Sequence, residues 1–532
     1  MRRHIYKCIL LTAALFVANA CSKEELDLQN PNSPGRPALQ SEEGLKRAGM
    51  GVYNKFSSLY YLWYALTDHE IMGDSYFSSV GNFAWRWVNQ PTKIILSNGT
   101  TLTPPQGGSQ ISELKARNNR SFGDENVFYH EWELYFMNNQ ANLILDVLKS
   151  SNVTFSGNGE TKKKALQAWA YWWKGFVYSR IGSIYIAGVI TDTPDKTNAD
   201  FVEYPAIIAE ANKNFDAAAE ILSTISETDV DYTEIISAVT PSFLKKGKGG
   251  VIKPAEWIRN INTYKARNIL VNKSLTEMTP ADWNAIITLA NNGIRANDII
   301  FTMRTAAENA VIAGGNNAAW MPGRSLIGWC YISERLIQDF KPGDARFTRN
   351  FKARTSPIVN NSGRGFQYGT RWDMIPIESG GNYSSTVSEL AEIPLACSYE
   401  ENQLMLAEAN IKLNQIDVGL GFIDQVRTYQ NASLAAVAGT GLNETQAYEE
   451  LRRERRIGLL NKNVSFYDAR RWGILKPLEQ GGGRTGAVVL YSGGVVDTNA
   501  TIDYNYLSRW DVPLHELDFN TPSNPSVPVI GF

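Results

Sequence analysis

The chain has 532 residues, of which 43% are hydrophobic and 20% are charged. This is the composition of an ordinary globular protein that is long enough for a large core. The formal net charge is −2 and no block of basic residues occurs, which argues against nucleic acid or an anionic membrane surface as the partner. The 14 Trp, 24 Tyr and 21 Phe exceed what a core needs, so some rings require another role.

The first twenty residues have the pattern of an export signal. Three basic residues precede an apolar run from Cys8 to Ala18, which is too short to span a bilayer. Ala20 then precedes Cys21, and a small residue before a cysteine suits lipoprotein processing, in which the thiol is acylated and becomes the new N-terminus. We therefore predict a signal peptide over residues 1–20 and a lipid anchor at Cys21. The alternative is a plain secretory signal with a coincidental cysteine.

Residues 21–40 are acidic, rich in proline and without periodicity, which predicts a flexible tether. Helical periodicity dominates from Glu42 onward, so residues 41–532 are predicted to form a single, mostly α-helical domain. Helix pairs with short connections indicate tetratricopeptide-like units, although no clean 34-residue repeat is present. The predicted helices are Asp124–Leu148, Lys162–Ile181, Pro205–Leu222, Ala255–Val271, Pro280–Ile294, Tyr399–Leu413, Val418–Arg427 and Thr445–Leu460.

Long irregular segments interrupt this helical scaffold. They are rich in Gly, Ser and Asn and extend over Met72–Gln110, Ala306–Ile332, Ser356–Glu392 and Gln480–Asp503. Segments of this length are usually functional or disordered. Because the first two contain bulky aromatic residues, we predict loops with a function.

Several motifs, in this order along the chain, resemble the SusD/RagB family of surface lipoproteins. Their order and spacing from end to end are more specific than any one of them. They are Asn30-Pro31-Asn32-Ser33-Pro34 after the anchor, the alanine- and aromatic-rich stretch Ala165–Gly182, Ala407-Glu408-Ala409 followed by Ile423–Arg427, Glu454-Arg455-Arg456 with Phe466-Tyr467-Asp468 and Arg470-Arg471-Trp472-Gly473, and finally Trp510–Asn520 with Asn524-Pro525. The Glu454–Gly473 motif is interpreted as structural. Gly458, Lys462, Asn463 and Ser465 depart from the family pattern there, which predicts a looser salt-bridge network.

The resemblance implies a SusD-like fold, in which tetratricopeptide-like helical pairs form a scaffold overlaid by long loops with a few short strands. It implies an outer-membrane lipoprotein that faces the cell exterior and contacts the membrane through its anchor alone. Such a protein binds an oligosaccharide or polysaccharide and delivers it to a SusC-like TonB-dependent transporter. The resemblance also implies that it is not an enzyme and has no cofactor; no metal site is predicted, and whether a divalent cation is bound is left open. The alternative is a lid or scaffold subunit of the transporter that binds peptides or another ligand and has little glycan affinity.

Catalytic motifs are weak in this sequence. No histidine pair has zinc-binding spacing, and no Gly-x-Ser-x-Gly turn occurs. Gly73-Asp74-Ser75-Tyr76, with Asp511 and His515, leaves a lipid-anchored hydrolase as a further alternative. Cys330 and Cys397 remain after processing, and whether they form a disulfide is left open.

The loop aromatics are the predicted ligand site. A sugar ring places polarised C–H groups against an aromatic face, and neighbouring polar side chains bond its hydroxyls. The predicted ligand-binding residues are Tyr76, Trp85 and Trp87 in the first loop, and Trp320 and Trp329 with the polar neighbours Asn317 and Arg324 in the second. The alternative is that these rings only fix the loops to the scaffold.

Overall fold

The computed structural model describes residues 36–56, 64–79, 81–105, 108–150, 153–245, 248–304, 329–360, 366–375 and 392–531. Helices make up most of the regular structure, as predicted. In chain order they are α1 (Glu42–Phe56), α2 (Leu66–Met72), α3 (Trp85–Val88), α4 (Gln110–Ala116), α5 (Val127–His130), α6 (Tyr135–Ser150), α7 (Gly159–Ile184), α8 (Tyr204–Leu222), α9 (Val230–Ala238), α10 (Pro254–Val271), α11 (Pro280–Asn291), α12 (Glu334–Gln338), α13 (Ala345–Asn350), α14 (Tyr399–Lys412), α15 (Ile416–Tyr429), α16 (Glu444–Gly458), α17 (Ser465–Arg471) and α18 (Leu514–Leu517).

The scaffold is centred on the long helix α7. It begins at Asn158, whose side chain accepts a hydrogen bond from the Thr161 backbone N–H and so caps the first turn. Nearly all of its residues from Ala165 onward are buried, and it packs against α6 and α8. A second group of helices, α14 to α16, encloses a smaller core of its own. Helix pairs packed in this way confirm the predicted scaffold.

Seven of the eight predicted helices lie within a few residues of their predicted bounds, and Asp124–Leu148 is the exception. The structure breaks that segment into a 3-10 turn at Arg120–Glu125, the short helix α5, a second 3-10 turn at Trp132–Leu134 and helix α6. Asn126 leaves the helical region with φ −86° and ψ 86°. The residues that follow bond buried partners, His130 to Asp68 and Glu131 to Arg180. These tertiary contacts outweigh the local helical propensity.

The loops contain more sheet than the sequence predicts. An antiparallel eight-stranded sheet has the order β1-β7-β9-β11-β12-β2-β3, with β8 paired to the other side of β9. Its strands are β1 (Tyr76–Ser78), β2 (Lys93–Ile95), β3 (Thr101–Leu102), β7 (Cys330–Ile332), β8 (Phe351–Val359), β9 (Tyr368–Met374), β11 (Arg484–Tyr491) and β12 (Val495–Asp503), and two small ribbons pair β4 (Ala187–Val189) with β5 (Phe201–Glu203) and β6 (Thr302–Arg304) with β10 (Glu392–Pro394).

The longest of these strands fall in segments that were predicted to be irregular. Strands β11 and β12 form a hairpin across Gly493 and Gly494, whose φ angles of 85° and 75° favour glycine. The sequence of the hairpin lacks a clear alternation of polar and apolar residues, and the strands are held instead by pairing with β9 and β2. Tertiary pairing therefore decides their conformation.

Some predictions fall on parts of the chain that the structure does not describe. Residues 1–35, which include the predicted signal, Cys21 and most of the tether, lie outside the described residues, and the end of the tether forms a 3-10 turn at Arg36–Leu39. The extent of the single domain stays a prediction. Among the described helices, none combines the length and the apolar content needed to cross a membrane. Cys330 and Cys397 are both buried free thiols.

Candidate functional site

The two predicted ligand loops begin side by side. Strand β1 pairs with β7 in a register that places Tyr76 opposite Ile332 and Ser78 opposite Cys330. The Ser79 backbone N–H continues this ladder by donating to the Trp329 carbonyl at 3.1 Å. The first loop thus leaves the sheet where the second enters it, and the sheet pairing brings together residues that are about 250 positions apart in sequence.

An aromatic ledge, formed by Phe83 and Trp329, lies at this junction. Both rings are half-buried, and their centroids are 5.5 Å apart. Tyr64 stacks beneath Phe83 with centroids 4.3 Å apart and an interplanar angle of 25°. Trp85 meets Phe83 edge-on at 5.0 Å. The two rings are therefore supported from below by buried aromatic residues, a geometry that suits a flat apolar ligand face.

The backbone under the ledge is strained. Phe83 and Ala84 have φ angles of 59° and 57°, and such a left-handed conformation costs roughly 1–2 kcal/mol for each residue that is not glycine. Two successive residues of this kind persist only where the surrounding structure enforces them, and they concentrate at ligand-binding sites. This conformation directs the Phe83 ring toward Tyr64 and Trp329.

A buried polar cluster supports the ledge from the inside. Asp68 accepts a hydrogen bond from Trp85 Nε1 at 3.0 Å, and its second oxygen lies 2.8 Å from His130 Nδ1. His130 Nε2 lies 2.9 Å from the Asp124 carbonyl oxygen. Because a carbonyl oxygen only accepts, Nε2 donates, and Asp68 and His130 share one proton between them. Burial raises the pKa of Asp68. The cluster fixes the Trp85 indole and is closed to ligand.

Three of the predicted ligand platforms are buried. The exposed fractions of Tyr76, Trp85 and Trp87 are 0%, 0% and 4%. The Tyr76 hydroxyl donates to Asn461 Oδ1, and the Arg86 and Arg117 guanidinium carbons lie 4.4 and 4.6 Å from the Trp87 ring centroid. These three rings present no open face in this structure, and their role in ligand binding stays a prediction. A loop with few apolar side chains uses its largest rings to attach itself to the body.

The other predicted residues have different outcomes. Trp329 is half-buried and belongs to the ledge. Asn317, Trp320 and Arg324 lie outside the described residues, so their role in ligand binding stays a prediction. Sequence reasoning missed Phe83 as a site residue, because a left-handed backbone at a phenylalanine leaves no signal in composition or periodicity.

The residues of the hydrolase alternative do not form a catalytic triad. Ser75 is fully buried, and its hydroxyl has no hydrogen-bond partner among the described residues. Asp511 accepts a hydrogen bond from the Gly531 backbone N–H. The Nδ1 atom of His515 is buried and has no hydrogen-bond partner among the residues that the structure describes. In the described ranges, no group of three or more His, Cys, Asp or Glu side chains could hold a metal ion.

Similarity to known proteins is found at the level of structure. No family model and no curated protein matches the sequence. A SusD homologue from Bacteroides thetaiotaomicron is 13% identical, with 91% of this chain and 97% of that chain covered and a TM-score of 0.55. A candidate sugar-binding protein from Bacteroides vulgatus is 14% identical, with 91% and 98% covered and a TM-score of 0.54. A SusD-like protein from Bacteroides fragilis is 15% identical, with 90% and 96% covered and a TM-score of 0.52.

These matches extend over 90% or more of every chain compared. The chain therefore has the SusD-like fold, as the sequence motifs indicated.

Proposed function

We propose that this protein is a cell-surface lipoprotein that captures an oligosaccharide and delivers it to a SusC-like TonB-dependent transporter of the outer membrane. The observation that supports the proposal most directly is the aromatic ledge, formed by Phe83 and Trp329 at the junction of two loops on a SusD-like scaffold. One protein of this fold is described as a candidate sugar-binding protein. The ligand is bound by stacking and hydrogen bonding, and no bond is made or broken.

The ledge sets the strength of binding that we expect. Two aromatic contacts at about 0.5–1.5 kcal/mol each, with a few hydrogen bonds at about 1 kcal/mol, give an affinity of roughly millimolar to tens of micromolar. Such weak binding suits a protein that passes its ligand onward, since dissociation must be fast.

Calorimetric titration with a panel of oligosaccharides tests the proposal. Trp329→Ala and Phe83→Ala should each weaken binding by about two- to tenfold, because each removes one stacking face. Trp472→Ala is the matched control, since this half-buried indole lies at the end of α17 and outside the ledge. Its affinity should equal that of the unmodified protein. Equal losses in all three variants, with circular dichroism showing intact folds, would refute a role for the ledge.

The burial of three predicted ligand-binding rings favours a second candidate function. With Tyr76, Trp85 and Trp87 enclosed, the stacking area is small, as it would be in a lid or scaffold subunit that binds peptides or another ligand and has little glycan affinity. Co-purification with a β-barrel transporter, together with silent glycan titrations, would support that function over glycan capture.

A further inference from the structure

A cavity separate from the aromatic ledge lies between the C-terminal end of α10, the end of α17 and the segment 505–509. Its volume is about 430 Å³, which is within the range of small-molecule sites. None of the residues that line it belongs to the ledge. Two of the arginines in its wall, Arg470 and Arg509, carry the argument that follows.

The hydrogen bonds that hold Arg470 at this wall all go to backbone carbonyls, and its guanidinium carbon also lies 5.4 and 5.2 Å from the Phe466 and Tyr467 ring centroids. Its Nη1 donates to the carbonyl oxygens of Ser183 at 2.7 Å and Ser508 at 3.1 Å, and its Nη2 donates to Val271 O at 2.8 Å. These acceptors are neutral. The guanidinium is therefore fixed in position while its charge is not cancelled by a carboxylate.

Arg509 lies beside it and is also held by neutral oxygen atoms. Its Nη1 donates to Gly182 O at 2.9 Å and its Nη2 to Asn272 Oδ1 at 3.1 Å, while the guanidinium lies 3.4 Å from the Tyr204 ring centroid. Gly182 and Asn272 are the sequence neighbours of Ser183 and Val271, so the two guanidinium groups lie side by side. Neither Nε has an acceptor among the described residues.

The two guanidinium groups at this wall form no ion pair with a described residue, and only the more distant Glu277 carboxylate offsets part of the charge of Arg509. Across the described part of the chain, no carboxylate oxygen lies within 4 Å of either guanidinium, although the adjacent Arg471 pairs with both Glu408 and Asp468. The acidic residue that lines the cavity, Glu277, accepts bonds from the backbone N–H and hydroxyl of Ser274.

The closeness of the two positive charges affects the pKa of Arg470. Burial, and then the Arg509 charge, lower the pKa of Arg470 to about 9. The partial negative charge at the C-terminal ends of α7 and α10 offsets only part of the repulsion. Arg470 and Arg509 are half-buried, and two neighbouring like charges that are partly removed from water are unfavourable unless an anion joins them.

We propose that this cavity binds an oxyanion, either a carboxylate, sulfate or phosphate, alone or as the charged group of a molecule of monosaccharide size. The paired guanidiniums bind the oxygen atoms through charge-assisted hydrogen bonds, and their backbone anchors hold both donors in place beforehand. The exposed amine of Lys476 at the cavity edge adds a third positive charge. This site is independent of the aromatic ledge and of the proposed glycan function.

Calorimetric titration with inorganic phosphate, sulfate, D-glucuronate and neutral D-glucose, at constant ionic strength, tests the proposal. The three anions should bind and glucose should not. Arg509→Gln should weaken phosphate binding by about tenfold or more, because it removes one of two charged donors. Lys476→Gln alters an exposed side chain without disturbing the fold and should weaken binding several-fold.

Arg349→Gln is the matched control. Arg349 is also half-buried and also donates to backbone carbonyls, at Gln430 and Asn431, but the cavity beside it holds only about 20 Å³. This variant should bind phosphate as the unmodified protein does. Binding of phosphate and sulfate without glucuronate would support a site for tetrahedral anions. Absence of binding by every anion, equal binding of glucose, or an equal loss in Arg349→Gln would overturn the proposal, and none of these results bears on the ledge.

Discussion

At the scale of single residues, the interior contains many charges. Glu454 bonds Arg346 and Arg427 at 2.5 and 2.9 Å, and Lys462 lies 3.3 Å from Glu400. The prediction that the Glu454–Gly473 motif has a loosened salt-bridge network is therefore wrong, because replaced positions such as Lys462 find new partners. The structural interpretation of the motif agrees with these buried pairs.

Glu70 is a buried acid that, unlike Glu454 and Glu400, forms no ion pair with a described cationic side chain. One of its oxygens accepts the Asn461 backbone N–H at 3.1 Å, and the other has no hydrogen-bond partner in the described ranges. Burial raises the pKa of Glu70 to about 7, whereas the unfolded chain has the ordinary value near 4.5. Between these two values the folded state keeps a proton that the unfolded state has lost, so this group makes stability fall as the pH rises.

We therefore predict that Glu70→Gln removes part of the pH dependence of stability. From pH 5 to pH 8 the free energy of unfolding of the unmodified protein should fall by up to about 3 kcal/mol more than that of the variant. Urea unfolding at several pH values measures this difference. The exposed acid Glu43 gives the control, since Glu43→Gln should leave the pH dependence unchanged. Parallel pH profiles for the unmodified protein and Glu70→Gln would contradict the prediction.

At the scale of the elements, close helix packing sets the scaffold. Gly175 on α7 faces Phe215 on α8, and a Cβ atom placed at Gly175 would lie 2.5 Å from the Phe215 ring. This glycine lowers the helical propensity of α7, yet it permits the approach of the two helices. Packing therefore outweighs propensity at this contact.

Gly175→Ala should destabilise the protein by about 1–3 kcal/mol, because overpacking exceeds the gain in helical propensity. Gly421 on α15 is the matched control, since no heavy atom lies within 4 Å of a Cβ placed there. Gly421→Ala should instead stabilise by about 0.5–1 kcal/mol. Denaturant midpoints of the two variants measure both effects, and a stabilising Gly175→Ala would show that α8 moves away without cost.

At the scale of the whole molecule, the proposed function requires attachment to the outer membrane. The predicted anchor, Cys21, precedes the described residues and is followed by a proline-rich stretch. Acyl chains at about 0.8 kcal/mol per buried methylene hold a protein on a membrane durably when two or more are present.

We predict that Cys21→Ser moves the protein from the membrane fraction to the soluble fraction. Cell fractionation with immunoblotting measures the shift, and incorporation of labelled palmitate should be lost in parallel. Cys8→Ser, within the predicted signal, should change neither result. If Cys21→Ser stayed in the membrane fraction and still incorporated label, the prediction of a lipid anchor at Cys21 would fail.

The sequence by itself determined the helical scaffold and indicated the SusD-like fold. Helical periodicity is a local property, so the bounds of helices such as α7, α8 and α14 follow from the chain within a few residues. The ordered series of motifs indicated the fold that the solved structures then matched.

Only the tertiary structure decided which aromatic rings are enclosed and which arginines form no ion pair with a described residue. Trp85 and Trp329 have the same side chain in similar loops, but the first reaches the buried Asp68 and the second stays at the surface edge. The adjacent Arg470 and Arg471 differ in the same way, since one meets carbonyls and the other carboxylates. Burial and charge pairing depend on segments that are distant in the chain, and local pattern contains no information about them.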